Sequence, residues 1–316
     1  MGAAAHPPSS SVAAPSVIAP GNHDGVHLGH RALLRSAAEL ARQKGLRSVA
    51  LTFDPHPSAV LAPERAPTPL TTMSRRRELL LKAGADEVLV QPFTPELASS
   101  SPEQFLDGLM RRGATALAVG PDFRFGRGRA GSVDTLREYG ARHGLIVLVE
   151  PPLLIDGERV SSSAIREAIA RGEPERACTM LGRVHEIEGQ VVEGYHRGRR
   201  LGFPTANLET DLVLHPADGV YAVVVRSLDR EPHALRFGIA NLGQRPTFSA
   251  GRSLEVHLLD WDGDLYGSRL RVGFVKRIRP EQKFLDSERL RQQIELDCQA
   301  CRATLEASDR DAWALI

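Results

Sequence analysis

The feature that most constrains the fold is a change of hydrophobic periodicity part-way along the 316-residue chain. From residue 15 to about 180, short apolar runs alternate with longer amphipathic ones. "SVIAP" precedes "HRALLRSAAELARQKG", in which Leu33, Ala37, Leu40 and Ala41 share one helical face. "RSVALTF" comes next, after Gly45, a residue suited to stopping a helix. The pairing recurs in "RRRELLLKAG" then "DEVLVQ", "EQFLDGLMRRG" then "TALAVG", and "VDTLREYGARHG" then "LIVLVE". Apolar strands separated by helices predict an α/β domain whose parallel sheet is covered on both faces.

After residue 183 the pattern shortens. "RVHEIEGQVVEGY", "DGVYAVVVRS", "LRFGIANLG", "SLEVHLLDW" and "SRLRVGFVKRIR" are β-like runs divided by turn residues, several of them alternating apolar and polar. They predict a small antiparallel β-barrel, closed off by a C-terminal helix over about 281–307. The domain limits read as a disordered Ala/Pro/Ser tail at 1–14, the α/β domain at 15–182 and the barrel at 183–316, divided near "CTMLGR". Such a length is enough for two cores.

The formal net charge of +1 gives no general polyanion binder, so nucleic acid is not expected as a partner. No apolar run is long enough for a membrane span, and the N-terminus lacks the pattern of a signal peptide. Three cysteines make a disulfide framework an unlikely design, and a reducing, cytoplasmic setting is expected. Cys298 and Cys301 form a CxxC, but within a long helical pattern they read as two small residues on a helix. Self-association stays open.

"GNHDGVHLGH", residues 21–30, falls where the first strand passes into the first helix. In a parallel sheet, ligands bind at the carboxyl ends of the strands. His27 and His30, three apart, share a face of the first helical turn, while Gly21, Gly25 and Gly29 allow close backbone approach. A helix N-terminus with imidazole donors suits phosphate oxygens. A metal site using His23 or Asp24 needs further ligands at fixed places, and phosphate is the better reading.

"VSSSAIREAI", residues 160–169, places Ser161, Ser162 and Ser163 at a second helix start, with Arg166 one turn on. By itself it is equally an N-cap with a surface arginine. "GRGRAG", residues 126–131, matches GxGxxG formally, but "PDFRF" separates it from the strand that ends at Gly120, so a dinucleotide-dependent oxidoreductase is the second choice. In the barrel half, "GRRLGFPTANL" holds Gly202, Pro204, Thr205 and Asn207. Thr205 and Asn207 would point the same way from an extended chain, and such oxygens suit Mg²⁺ carrying nucleotide phosphates.

GxxDxxHxGH together with SSSxIR resembles the nucleotidylyltransferase superfamily. "TFDPHP" and "VGPDFRFGRGRAGS" are similar to its flavin-adenylylating branch. "GFPTAN", "DGVYAV", "NLGQRPTF" and "LEVHLLDWDGDLYG" resemble riboflavin kinase. Nearly the whole chain therefore resembles the prokaryotic bifunctional riboflavin kinase/FAD synthetase family. The resemblance implies a Rossmann-like nucleotidylyltransferase domain followed by a riboflavin kinase barrel, with riboflavin, FMN and ATP as small-molecule substrates, Mg²⁺ as cofactor and FMN and FAD as products. It assigns Gly21, Asp24, His27, His30, Ser162, Ser163 and Arg166 to the ATP of the adenylylation step. Asp122, Phe123 and Phe125 fall to the flavin, and Gly202, Pro204, Thr205 and Asn207 to the kinase's ATP/Mg²⁺. Glu255 matches the kinase's catalytic glutamate, a general base toward the ribityl 5′-hydroxyl.

Two positions depart from the family. His23 stands where an aromatic is usual, and Pro20 replaces an aliphatic, so the strand should be irregular or unpaired there. A flavin- or nucleotide-binding regulator on the same fold is a further alternative.

Overall fold

The computed structural model of the chain describes residues 14–194, 198, 201–229, 234–244 and 252–313. Residues 1–13 of the expected tail lie outside them. By contacts the chain forms two compact units, Met1–Pro67 with Met73–Leu153, and Thr68–Thr72 with Leu154–Ile316.

In the first unit β1 (Ser16–Pro20), β2 (Arg47–Asp54), β3 (Glu87–Pro92), β4 (Ala114–Val119) and β5 (Ile146–Val149) form a parallel sheet in the order β3-β2-β1-β4-β5. Central strands buried on both faces explain their unbroken apolar runs: β1 is buried throughout, and β2 at all but its two ends. The helices are α1 (Leu28–Lys44), α2 (Pro57–Leu61), α3 (Met73–Lys82), α4 (Pro95–Ser99), α5 (Pro102–Arg111) and α6 (Val133–His143). Helix α1 stops at Gly45, in the left-handed conformation at φ 63°, as expected. Its buried face is Leu33, Leu34, Ala37 and Ala41; Leu34 joins the predicted stripe and Leu40 sits at its margin.

Pro20 is the last residue of β1, in register with Leu51. Gly21 donates its amide to the Leu51 carbonyl at 3.0 Å. Amide direction alternates along a strand, so the amide that proline lacks would have pointed toward β4, whose pairing with β1 ends at Ile18. The proline sits where the ladder needs no donor.

The second unit opens with the hairpin β6 (Leu154–Ile155) and β7 (Glu158–Arg159), then α7 (Ser162–Arg171) and α8 (Pro174–Leu181). By compactness α7 and α8 go with the barrel rather than with the sheet that precedes them. The barrel comprises β8 (His185–Val192), β9 (Ala206–Thr210), β10 (Gly219–Ser227), β11 (Arg236–Gln244), β12 (Arg252–Leu258) and β13 (Arg269–Arg279). They close antiparallel in the order β10-β11-β12-β9-β8-β13. Strand β9, which begins within "GFPTANL" and runs on to Thr210, was not announced by the apolar runs.

Tyr221, Val223, Leu242, Leu254, Val256 and Phe274 fill the barrel interior. The outer face of β10 is buried too: Val220, Ala222 and Val224 pack with Cys301 and Leu305 of α9 (Ser287–Ala307) and with Trp313. "VYAVVV" is continuous rather than alternating for that reason. Helix α9 begins at 287, later than expected, because the Asp286 carboxylate caps it by accepting from the Arg289 amide at 2.8 Å. Burial pushes the thiol of Cys301 up to about 12 and that of Cys298 up to about 11, so both are protonated packing residues of that helix.

Candidate active sites

In the first unit the strand order reverses between β1 and β4. At such a switch point, loops leaving the carboxyl ends of the two strands border one crevice. Those loops are residues 21–27 and 120–132, which hold the histidine motif and the proposed flavin residues.

His27 is the N-cap of α1, and its Nδ1 accepts the backbone amide of His30 at 3.2 Å. The neutral ring therefore carries its hydrogen on Nε2, a donor suited to phosphate oxygen. His30 stacks on His27, ring centroids 3.6 Å apart and planes 15° apart, and meets His23 edge-to-face at 5.1 Å. Burial holds His30 well below the ordinary histidine range, with further lowering from His27, His23 and Arg76. His23 Nε2 donates to the Ala19 carbonyl at 3.0 Å, and burial lowers the ring to about 4. Its backbone is left-handed at φ 48°, and a Cβ at Gly21 would come within 3.0 Å of its ring. Gly21 thus makes room for the histidine that departs from the family pattern.

Asp24 faces inward. It is 3% exposed and pairs with Arg76 of α3 at 2.9 Å, while Arg76 also donates to the Asn22 carbonyl at 3.1 Å. Thr52 of β2 donates to that same carbonyl at 2.9 Å. The residue expected to contact ATP thus anchors the loop that carries His23 and His27 to α3. Sequence reasoning passed over Arg76, because a buried arginine inside "SRRREL" looks like part of a solvated face.

Phe125 also differs from expectation. It is 5% exposed, and its ring lies beside Phe123 (5.3 Å) and Phe105 (5.6 Å), so it offers no open face to a flavin. Phe123 is partly buried against the same cluster and Asp122 is exposed. Gly131 pairs with Phe125 in a backbone bridge, and Arg127 donates its amide to Ser100 at 2.7 Å. The "GRGRAG" segment is therefore a self-closed turn ahead of α6, not a strand-to-helix dinucleotide loop.

Ser161 caps α7 by accepting from the Ala164 amide at 3.2 Å, which makes Ser162 and Ser163 its first residues. These serines and Arg166, whose Nε donates to the Thr68 carbonyl at 3.1 Å, belong by contacts to the second unit.

On the barrel, Glu255 has the opposite parity to the interior residues Leu254 and Val256 and so faces outward. That outer wall is only partly open to solvent. The segment after β13 and the first half of α9 fold over it, leaving a cleft lined by Glu255, Thr205, Phe203, Asn241, His257 and Phe284 among others. Arg279 closes one end by a multidentate pair with buried Asp297, Nε reaching its two oxygens at 3.1 and 3.0 Å. Thr205 donates its hydroxyl to Glu255 Oε2 at 3.4 Å, and His257 Nδ1 donates to the Pro204 carbonyl at 2.8 Å. Gly202, at φ 88°, supplies the left-handed turn just before. Asn207 pairs in register with Glu255 across β9 and β12.

A second cavity, at the barrel mouth, is lined by Pro204, Thr205, Val256, Trp261, Asp264 and Tyr266 among others. Thr205 borders both cavities.

A family model described as FAD synthetase matches residues 9–164, and one described as riboflavin kinase matches residues 181–305. The bifunctional riboflavin kinase/FMN adenylyltransferase of Escherichia coli (strain K12) is 39% identical over 284 residues, 89% of this chain and 90% of that protein. The protein of the same description from Bacillus subtilis (strain 168) is 37% identical over 296 residues, 90% and 91% of the two chains. A crystal structure from Streptococcus pneumoniae, described as a macrolide-efflux protein, matches with a TM-score of 0.84 at 30% identity, covering 92% of this chain and 94% of that one.

Proposed function

The chain belongs to the bifunctional riboflavin kinase/FMN adenylyltransferase family, and from that premise we propose how its residues divide the work. It is a two-activity enzyme of flavin synthesis: riboflavin takes the γ-phosphoryl group of ATP to give FMN and ADP, then FMN takes the adenylyl group of a second ATP to give FAD and pyrophosphate.

In the kinase step Glu255 accepts the proton of the ribityl 5′-hydroxyl as its oxygen attacks the γ-phosphorus and ADP leaves. The observation that carries this reading is Thr205, which borders both barrel cavities and donates to Glu255. Riboflavin would occupy the outer cleft and ATP the mouth, with the transferred group passing the Thr205 hydroxyl. Thr205 and Asn207 would hold Mg²⁺; their neutral oxygen donors fit an ion that arrives on nucleotide phosphates. When bound, that ion neutralises charge on the transferred group.

In the adenylylation step the FMN phosphate is already ionised and needs no protein nucleophile. His27 and His30, as neutral donors at the start of α1, position the ATP phosphates and stabilise the departing pyrophosphate. Ser162, Ser163 and Arg166 are assigned to ATP phosphates on the strength of their motif. Asp122 and Phe123 are assigned to the flavin, with Phe125 as backing for Phe123. Both reactions draw on ATP, and we assign the enzyme to the cytoplasm.

A time course with purified protein, riboflavin, ATP and Mg²⁺ tests the reading. FMN appearing first and FAD later is the expected order. Absence of any phosphorylated flavin would overturn it.

A further inference from the structure

The two loops that border the crevice of the first unit differ in charge. The histidine loop brings donors but little positive charge: burial holds His30 well below the ordinary histidine range, and Arg76 is paired with Asp24. The other loop carries Arg124, Arg127 and Arg129, all exposed. Among the described residues none of the three has an ion pair or a side-chain hydrogen bond. Several exposed arginines of the same unit do meet carboxylates: Arg42 pairs with Glu39 at 2.7 Å, Arg47 with Glu87 at 2.9 Å and Arg142 with Glu103 at 3.4 Å.

The turn that presents the three is held by its backbone. Phe125 and Gly131 exchange amide hydrogen bonds at 3.2 and 2.9 Å, and the Arg127 amide donates to the Ser100 carbonyl at 2.7 Å. At Gly126, φ 72°, an added Cβ would come 2.7 Å from Pro102. Gly128 and Arg129 are both left-handed, at φ 62° and 59°. Packing of Phe125 accounts for the turn but not for three unpaired cations on it. Neighbouring guanidiniums repel one another, and a bound anion relieves that repulsion.

The reaction supplies such an anion. A phosphate monoester carries a charge of about −1.5 to −2 at pH 7, and that of FMN must approach the phosphates of ATP. His27, His30, Ser162, Ser163 and Arg166 are assigned to ATP, which leaves the FMN phosphate without a cation. The arginines share their loop with Asp122 and Phe123, the residues assigned to the flavin, and guanidinium forks match phosphate oxygens in pairs.

We propose that Arg124, Arg127 and Arg129 bind the 5′-phosphate of FMN in the adenylylation step, offsetting its repulsion from ATP as its oxygen approaches the α-phosphorus. This rests on the first unit being the site of FAD formation.

The test is steady-state FAD formation from supplied FMN in the full chain and in Arg124→Gln, Arg127→Gln, Arg129→Asn and the triple variant. Asparagine is used at 129 because it tolerates a left-handed backbone. Each single variant raises KM for FMN about 10-fold and the triple variant about 100-fold, with KM for ATP unchanged. Added salt lowers kcat/KM for FMN in the wild type and has much less effect on the triple variant. Arg127→Lys keeps the charge and recovers part of the loss.

Should the triple variant fail to fold, the single variants decide. An unchanged KM for FMN overturns the proposal and leaves the arginines as a solvated surface. A rise confined to KM for ATP, or a loss confined to inhibition by pyrophosphate, also overturns it and moves the cations to the other phosphates. If the wild-type chain forms no FAD from FMN, the reading of the site fails first. If it forms FAD and the variants match it, only the role of the arginines fails.

Discussion

Asp24 and Arg76, 52 residues apart, form an ion pair at 2.9 Å in which each partner is less than 5% exposed. The pair ties the loop that carries His23 and His27 to helix α3. Arg76 holds that loop twice, through the Asp24 carboxylate and through the Asn22 carbonyl.

Removing one partner of a buried pair leaves an uncompensated charge and costs about 3–5 kcal/mol. Arg76→Met should therefore destabilise the first unit by roughly that amount and remove FAD formation from supplied FMN, while FMN formation from riboflavin continues. Chemical denaturation and the two half-reactions, assayed separately, check it. Loss of both activities in a protein that remains folded would contradict it.

Two buried histidines, His23 in the first unit and His185 in the second, are each lowered to about 4, mainly by burial. Their unfolded-state value is 6.5, so the unfolded chain binds protons that the folded chain refuses. Their contribution is fully present above about pH 6.5 and declines as pH falls toward 4, by about 3 kcal/mol for each ring at the limit. His23→Phe should flatten this decline for the first unit only. Urea unfolding at several pH values between 7.5 and 4.5 reads it, and an unchanged pH slope would contradict it.

Phe123 and Phe125 are two residues apart but should fail differently. Phe123→Ala should raise KM for FMN about 10-fold through lost stacking and leave KM for ATP unchanged. Phe125→Ala removes a ring from the core of the first unit and should cost about 3–5 kcal/mol of stability. Steady-state kinetics and denaturation separate the two, and a specific KM effect from Phe125→Ala would overturn the packing role.

The parallel sheet and the barrel were legible because burial imposes a period on sequence. Strands β1 and β2 read as continuous apolar runs, since helices cover both faces, and the β12 alternation gave the parity of Glu255 correctly. Nothing local in β12 reveals, however, that α9 and the segment before it line a cleft on its outward face. Strand β9 was hidden by the turn residues Gly202 and Pro204 just ahead of it. The Asp24–Arg76 pair was not legible because its partners lie 52 residues apart. His23 and Pro20, the two departures, are each accommodated locally: one by the missing Cβ of Gly21, the other by the end of the β1–β4 ladder.

The account rests on two chemically independent sites in one chain. The most direct test follows flavins by chromatography with Glu255→Gln and with the double variant His27→Ala/His30→Ala, each started from riboflavin and, separately, from FMN. Glu255→Gln should form no FMN from riboflavin yet convert supplied FMN to FAD. The double variant should accumulate FMN and make no FAD. Loss of both reactions in either protein, with its unfolding transition unchanged, would contradict the two-site account.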